Sequence, residues 1–186
     1  MQELMPRTRE IRVTQTPGRV SAKTLEGLDQ LVLIVPRKPS AALWRAIPGG
    51  TKLGKLLKKQ KAGSPVALRT HLDNKRQTLV VAGTAKPDAS AFDQLTQARR
   101  LVASAAQQKA GTLGVLVAGF DQTAADAQYL AVVAAAQAAA FGMPQFRAKV
   151  APAKIRSIKI VGRDDRLDVS RILAEAQGNN LARWLT

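Results

Sequence analysis

The sequence has 186 residues, 46% hydrophobic and 23% charged, a globular balance with enough chain for one buried core. It contains no cysteine, which excludes disulfides, thiolate metal sites and a cysteine nucleophile. Lys and Arg outnumber Asp and Glu by 29 to 13, a net charge of +16 that attracts polyanions whatever the fold.

The first ten residues hold no apolar run of signal-peptide type, and the alanine-rich stretch from Ala131 to Phe141 is too short to cross a bilayer. A soluble, cytoplasmic protein with no membrane partner is the expectation. Along the chain, Glu10 to Thr14 alternates polar and apolar residues as a half-buried strand does, and Pro17-Gly18 breaks it. Leu31 to Val35 is a continuous apolar run closed by Pro36, the pattern of a strand buried on both faces. Ser40 then caps a helix carrying Leu43, Trp44 and Ile47, which Pro48-Gly49-Gly50 stops. Leu53, Leu56 and Leu57 recur at helical spacing among lysines and predict a second, amphipathic helix.

Val66 to Leu72 and Gln77 to Ala82 flank Asp73-Asn74-Lys75-Arg76 and read as a β-hairpin whose second strand ends at Gly83. Ser90 with Asp93 resembles a capping box for a helix that carries Phe92, Leu95, Leu101 and Val102 and ends at Gly111. Leu113 to Phe120 is the next strand, and Asp121 caps the alanine-rich helix that Gly142 and Pro144 stop. Ile155, Ile158 and Ile160 mark a last strand, Gly162 to Arg166 a polar turn, and the chain is helical again from Asp168. Strands alternating with helices predict an α/β three-layer sandwich, and the hairpin makes its sheet mixed rather than purely parallel.

Gly49-Gly50-Thr51-Lys52-Leu53-Gly54-Lys55-Leu56 falls one residue short of a phosphate-binding P-loop. Leu56 stands where the Mg²⁺-binding hydroxyl is needed, and the segment follows a helix instead of a strand. Lys52, Lys55, Lys58, Lys59 and Lys61 form the densest basic run and are the candidate nucleic-acid contacts. On the exposed side of an amphipathic helix they can track a phosphate backbone with steep salt dependence. The same residues also fit a solvated face of a helix docked on the sheet. No aromatic residue interleaves them, so base stacking is not indicated.

His71 is the single histidine and sits near a strand end, with Asp73 alone near it in sequence. That is too little for a metal site, and no serine lies in a nucleophile elbow. Asp164-Asp165 read as a turn paired with the flanking arginines. The residues therefore give no seat for catalysis, metal or cofactor within this chain.

The C-terminal stretch Ala174-Glu175-Ala176-Gln177-Gly178-Asn179-Asn180-Leu181-Ala182-Arg183-Trp184-Leu185-Thr186 resembles the helix that joins the two domains of leucyl aminopeptidases. Asn180, Ala182, Arg183 and Leu185 carry the match; Gly178 and Trp184 depart from it. Softer likeness runs through Thr78 to Gly83, the Phe92 to Val102 helix, and Ala131 to Phe146 followed by Arg147. The resemblance implies a mixed α/β domain similar to macro domains over residues 1–166 and the start of an interdomain helix over 167–186. Macro domains proper bind ADP-ribose, but no glycine-rich loop here matches theirs.

It also implies a parent that is a two-metal peptidase, usually hexameric, which removes N-terminal residues from peptides. The two divalent ions, zinc or manganese, and all catalytic residues lie in the family's C-terminal domain, so none transfers to this chain. The implied partners are that catalytic domain and the hexamer. DNA is a further possible partner, since some bacterial members bind it. Ending on a helix with Trp184-Leu185 and no stop signal, the chain is expected to be cut from something longer.

Overall fold

The computed structural model describes residues 11–60, 66–107, 111–141 and 155–185, with side chains at the C-terminal end described as far as 182. Among these residues six strands form one sheet: β1 (Arg12–Pro17), β2 (Gln30–Pro36), β3 (Leu68–His71), β4 (Leu79–Ala85), β5 (Gly111–Val117) and β6 (Ile155–Arg163). Their spatial order is β1-β6-β5-β2-β4-β3. All neighbours are parallel except β3, which runs antiparallel to β4 at the edge. Helices α1 (Ala22–Glu26), α2 (Ala41–Ala46), α3 (Gly50–Lys58), α4 (Ala91–Ala105), α5 (Gln122–Ala140) and α6 (Ser170–Leu185) cover both faces.

The unbroken apolar run in β2 follows from its central position. Leu31, Leu33 and Val35 pack with Leu25, Leu28, Trp44, Ile47 and Leu53 on the side of α1, α2 and α3. Val32 and Ile34 pack with Leu101, Val102, Val132 and Val133 on the side of α4 and α5. Alternate residues of one strand thus serve two cores, because successive side chains point to opposite faces. The expected three-layer sandwich with a mixed sheet is what forms.

Local chemistry sets the helix starts. The hydroxyls of Ser40 and Ser90 and the carboxylate of Asp121 accept from the backbone N–H groups of Leu43, Asp93 and Ala124. Ser90 also donates to the Asp93 carboxylate at 2.8 Å. In the hairpin, the Asn74 side-chain oxygen accepts from Thr78 N–H at 2.9 Å and Gln77 takes φ 49.

Several boundaries differ from the sequence reading. α1 is an additional single turn, capped by Ser21, whose Leu25 is buried. Gly83 lies inside β4 and does not end it; it pairs with Ile34 in the middle of the sheet. Gly111 opens β5 instead of stopping α4, which ends at Ala105, and β5 ends at Val117 and not at Phe120. Gly162 and Arg163 are strand residues: pairing of β6 with β1 carries the strand to Arg163 through an irregularity at Gly162, whose φ is 81. Phe92, carried on α4 as expected, is 76% exposed. Glu10, Gly142 and Pro144 lie outside the described residues.

Candidate functional site

From Gln30 to Leu72 the sequence has nine Lys or Arg residues and no Asp or Glu. This stretch builds β2, α2, α3 and β3, so α2 and α3 form a layer with no carboxylate of their own. Lys52, Lys55, Lys58 and Lys59 are all exposed on α3, while Leu53 and Gly54 face inward. Lys52 is already engaged, pairing with Asp73 at 2.7 Å, a solvent-exposed bridge of little energetic weight. Lys61 lies outside the described residues. The structure therefore brings four of the five candidate lysines together on the exposed side of α3 and its C-cap.

The glycines of the near-P-loop have a packing role. Gly49 caps α3 in the left-handed region at φ 74, a conformation that favours glycine. A Cβ on Gly54 would stand 2.9 Å from the Trp44 indole ring, and one on Gly50 would strike the Trp44 carbonyl. Both glycines let α3 cross α2 against Trp44, which is 6% exposed. The Gly50 N–H donates to Ile47 O at 2.8 Å, so this backbone donor is committed within the helix junction.

In open α/β sheets a ligand usually lies beyond the carboxyl ends of two strands whose connections leave in opposite directions. Here those strands are β2 and β5, since the chain crosses from β2 to β4 on one side and returns to β5 on the other. Just past β5, a Cβ on Gly119 would stand 2.7 Å from Leu43 Cδ2 and 3.0 Å from Pro36 Cδ, so these two side chains pack closely on the Gly119 backbone. Ala118 N–H donates to Ile34 O at 3.0 Å and keeps the strand ends joined.

A polar cluster does lie at the carboxyl ends of β5 and β6. The Tyr129 hydroxyl donates to Val161 O at 2.8 Å and accepts from Val117 N–H at 3.1 Å. Burial pushes its pKa up to about 12, partly offset by the bond to Val117 and the charge of Arg163. Arg163, 8% exposed, donates to Asp126 on α5 and to Asp165 at 2.8 Å. The expected pairing of the Asp164-Asp165 turn with an arginine is thus made by Asp165, and its partner is a buried strand residue. The cluster was not foreseen, because its members come from three separated segments. The nearest signal was the lone tyrosine within an alanine-rich helix.

His71 is exposed at the end of β3. Among the described residues no three His, Asp or Glu side chains are grouped to hold a metal ion. No described helix is long and apolar enough to cross a membrane.

No protein-family model and no curated protein matches the sequence. Among solved structures, a mutant of tomato leucine aminopeptidase is similar, with a TM-score of 0.59 at 15% identity. The match covers 95% of this chain and 37% of the tomato chain. At that identity the likeness is one of fold.

Proposed function

We propose that this chain is the N-terminal domain of a leucyl aminopeptidase-type peptidase and serves assembly or regulation rather than chemistry. The observation that carries the reading is a fold likeness running through 95% of this chain while accounting for 37% of the aminopeptidase. The C-terminal resemblance around Asn180, Ala182 and Arg183 adds to it; these residues belong to α6. On this reading residues 1–166 are the α/β domain and 167–186 begin the linker. The zinc or manganese ions, the peptide substrate and the hexamer contacts of the reaction then belong with the catalytic domain.

The test is to sequence the reading frame beyond Thr186. Continuation into Asn-x-Pro-Pro-Asn and a Lys- and Asp-rich region is the expected outcome. A stop codon there, or hydrolysis of leucine anilides by the isolated chain with Mn²⁺ or Zn²⁺, overturns the reading.

A second reading rests on a different observation, the carboxylate-free layer of α2 and α3. A surface of exposed lysines without interleaved aromatics fits a phosphate backbone bound by charge, with little sequence preference. Duplex DNA is the partner on this reading, through Lys55, Lys58 and Lys59, with Lys52 released from Asp73. Absence of any mobility shift with duplex DNA at low salt removes it.

A further inference from the structure

We infer that the connection between β6 and α6 is a fixed elbow, with Arg163 and Gln15 as positioning residues that set the direction in which α6 leaves the sheet. Residues 164–169 connect the two elements, and Asp164, Asp165, Arg166 and Asp168 are exposed, the composition of an ordinary mobile loop. Three elements outside the loop nevertheless hold it. From β6, the Arg163 guanidinium donates to the Asp165 carboxylate at 2.8 Å and its Nε to the Asp165 carbonyl at 3.3 Å. From α5, Asp126 accepts from Arg163, and Gln122 Nε2 donates to Asp165 Oδ2 at 2.6 Å.

The third anchor comes from β1. The Gln15 side-chain amide donates to Leu167 O at 2.7 Å and accepts from Leu167 N–H at 2.9 Å. A side chain here makes the two-point pairing that a neighbouring strand would make, on the edge strand of the described sheet. Leu167 itself is 5% exposed and belongs to the main core. One residue on, the Asp168 carboxylate accepts from both the N–H and the hydroxyl of Ser170, where α6 begins.

Because the anchors belong to the sheet and α5, the direction of α6 is coupled to them and not left to the loop's own torsions. A segment with few outside bonds opens locally at little cost; this one must release a buried guanidinium and a paired amide together. The elbow is a property of this chain alone, so its test is separate from that of the aminopeptidase reading, which bears only on what α6 carries.

The absence of cysteine allows clean spin labelling. Ala103→Cys on α4 and Asn179→Cys on α6, both exposed, give a label pair for electron paramagnetic resonance distances. With the elbow intact the expected distribution is single and narrow. Arg163→Met combined with Gln15→Met broadens it by roughly twofold or more, while Asp164→Ala leaves it narrow. Amide protection of Val32 and Val115 in the central strands reports whether the sheet survives. Where the double variant loses that protection, Gln15→Met alone, with Arg163 kept, carries the test. A broad distribution in the unmodified chain, or a narrow one in the variants with the sheet intact, overturns the elbow.

Discussion

The Arg163 guanidinium lies over the Tyr129 ring, 5.6 Å from its centroid, while the hydroxyl of the same ring bridges β5 and β6. The cation meets the electron-rich face of the ring, and the polar edge replaces the ladder bonds where the two strands part.

Tyr129 is the single tyrosine, so phenolate absorbance on alkaline titration reads this residue alone. Its folded pKa of about 12 exceeds the ordinary value of 10.0. The folded state therefore holds the proton more tightly than the unfolded state. The associated stability is complete below the ordinary value and is lost as pH rises through the folded one, an effect on the order of 3 kcal/mol. Tyr129→Phe removes this tyrosine-linked fall and costs about 1–2 kcal/mol at neutral pH through the Val117 and Val161 groups left unpaired. Chemical denaturation of both forms across alkaline pH checks it. Equal slopes in the two proteins contradict it.

Gly54 and Gly178 are both interior helical glycines, yet substitution by alanine acts in opposite directions. Relative to glycine, alanine favours a helix by about 0.8–1.0 kcal/mol. At Gly178 nothing lies within 4 Å of the new methyl, so Gly178→Ala stabilises by about that amount. At Gly54 the methyl meets the buried Trp44 ring at 2.9 Å, and overpacking of about 1–3 kcal/mol outweighs the helical gain. Thermal melts of the two variants should move in opposite senses.

Thr78 is fully buried, donates its hydroxyl to Leu28 O at 2.8 Å and accepts from the Asn74 amide at 2.9 Å. Thr78→Val keeps the shape and strands both partners, at a cost of about 1–3 kcal/mol. The midpoint of urea unfolding should fall with no change in its slope.

For the lysine face, the prediction is made in salt dependence. Removing one phosphate-contacting lysine lowers the slope of log affinity against log salt by about 0.9. Lys55→Ala and Lys58→Ala should each show this with duplex DNA, measured by anisotropy over a salt series. Binding whose slope ignores both substitutions locates the contact elsewhere.

The fold was legible in the sequence wherever one strong local signal decided it. Leu31 to Val35 between Gln30 and Pro36 is a two-faced strand, and Ser40, Ser90 and Asp121 are helix caps that form their expected bonds. α1 was missed because five residues give one turn and too little periodicity, although Ser21 followed by Leu25 and Leu28 was its trace. Gly83 and Gly162 misled for one reason: glycine occurs within a strand as well as at its end. At Gly162 a Cβ would meet Leu116 and Val20.

For the site, exposure of the lysines followed from helical spacing, whereas the engagement of Lys52 by Asp73, 21 residues away, did not. Nor did the Tyr129, Arg163 and Asp126 cluster, since long-range pairings leave no local periodicity. The close approach of Leu43 and Pro36 to Gly119 is likewise beyond local pattern.

The pairing of β1 with β6 joins Arg12 to Ser157, the first described strand to the last. During synthesis the strands β2, β3, β4 and β5 can assemble as soon as Val117 has left the ribosome. Among the described strands, β1 has no partner until β6 follows. The first of the described strands to be made is therefore the last to be seated, and until then its backbone is a template for pairing with other chains. Limited proteolysis of stalled nascent chains should find the Arg12–Pro17 segment cleavable until Arg163 is exposed, and protected thereafter.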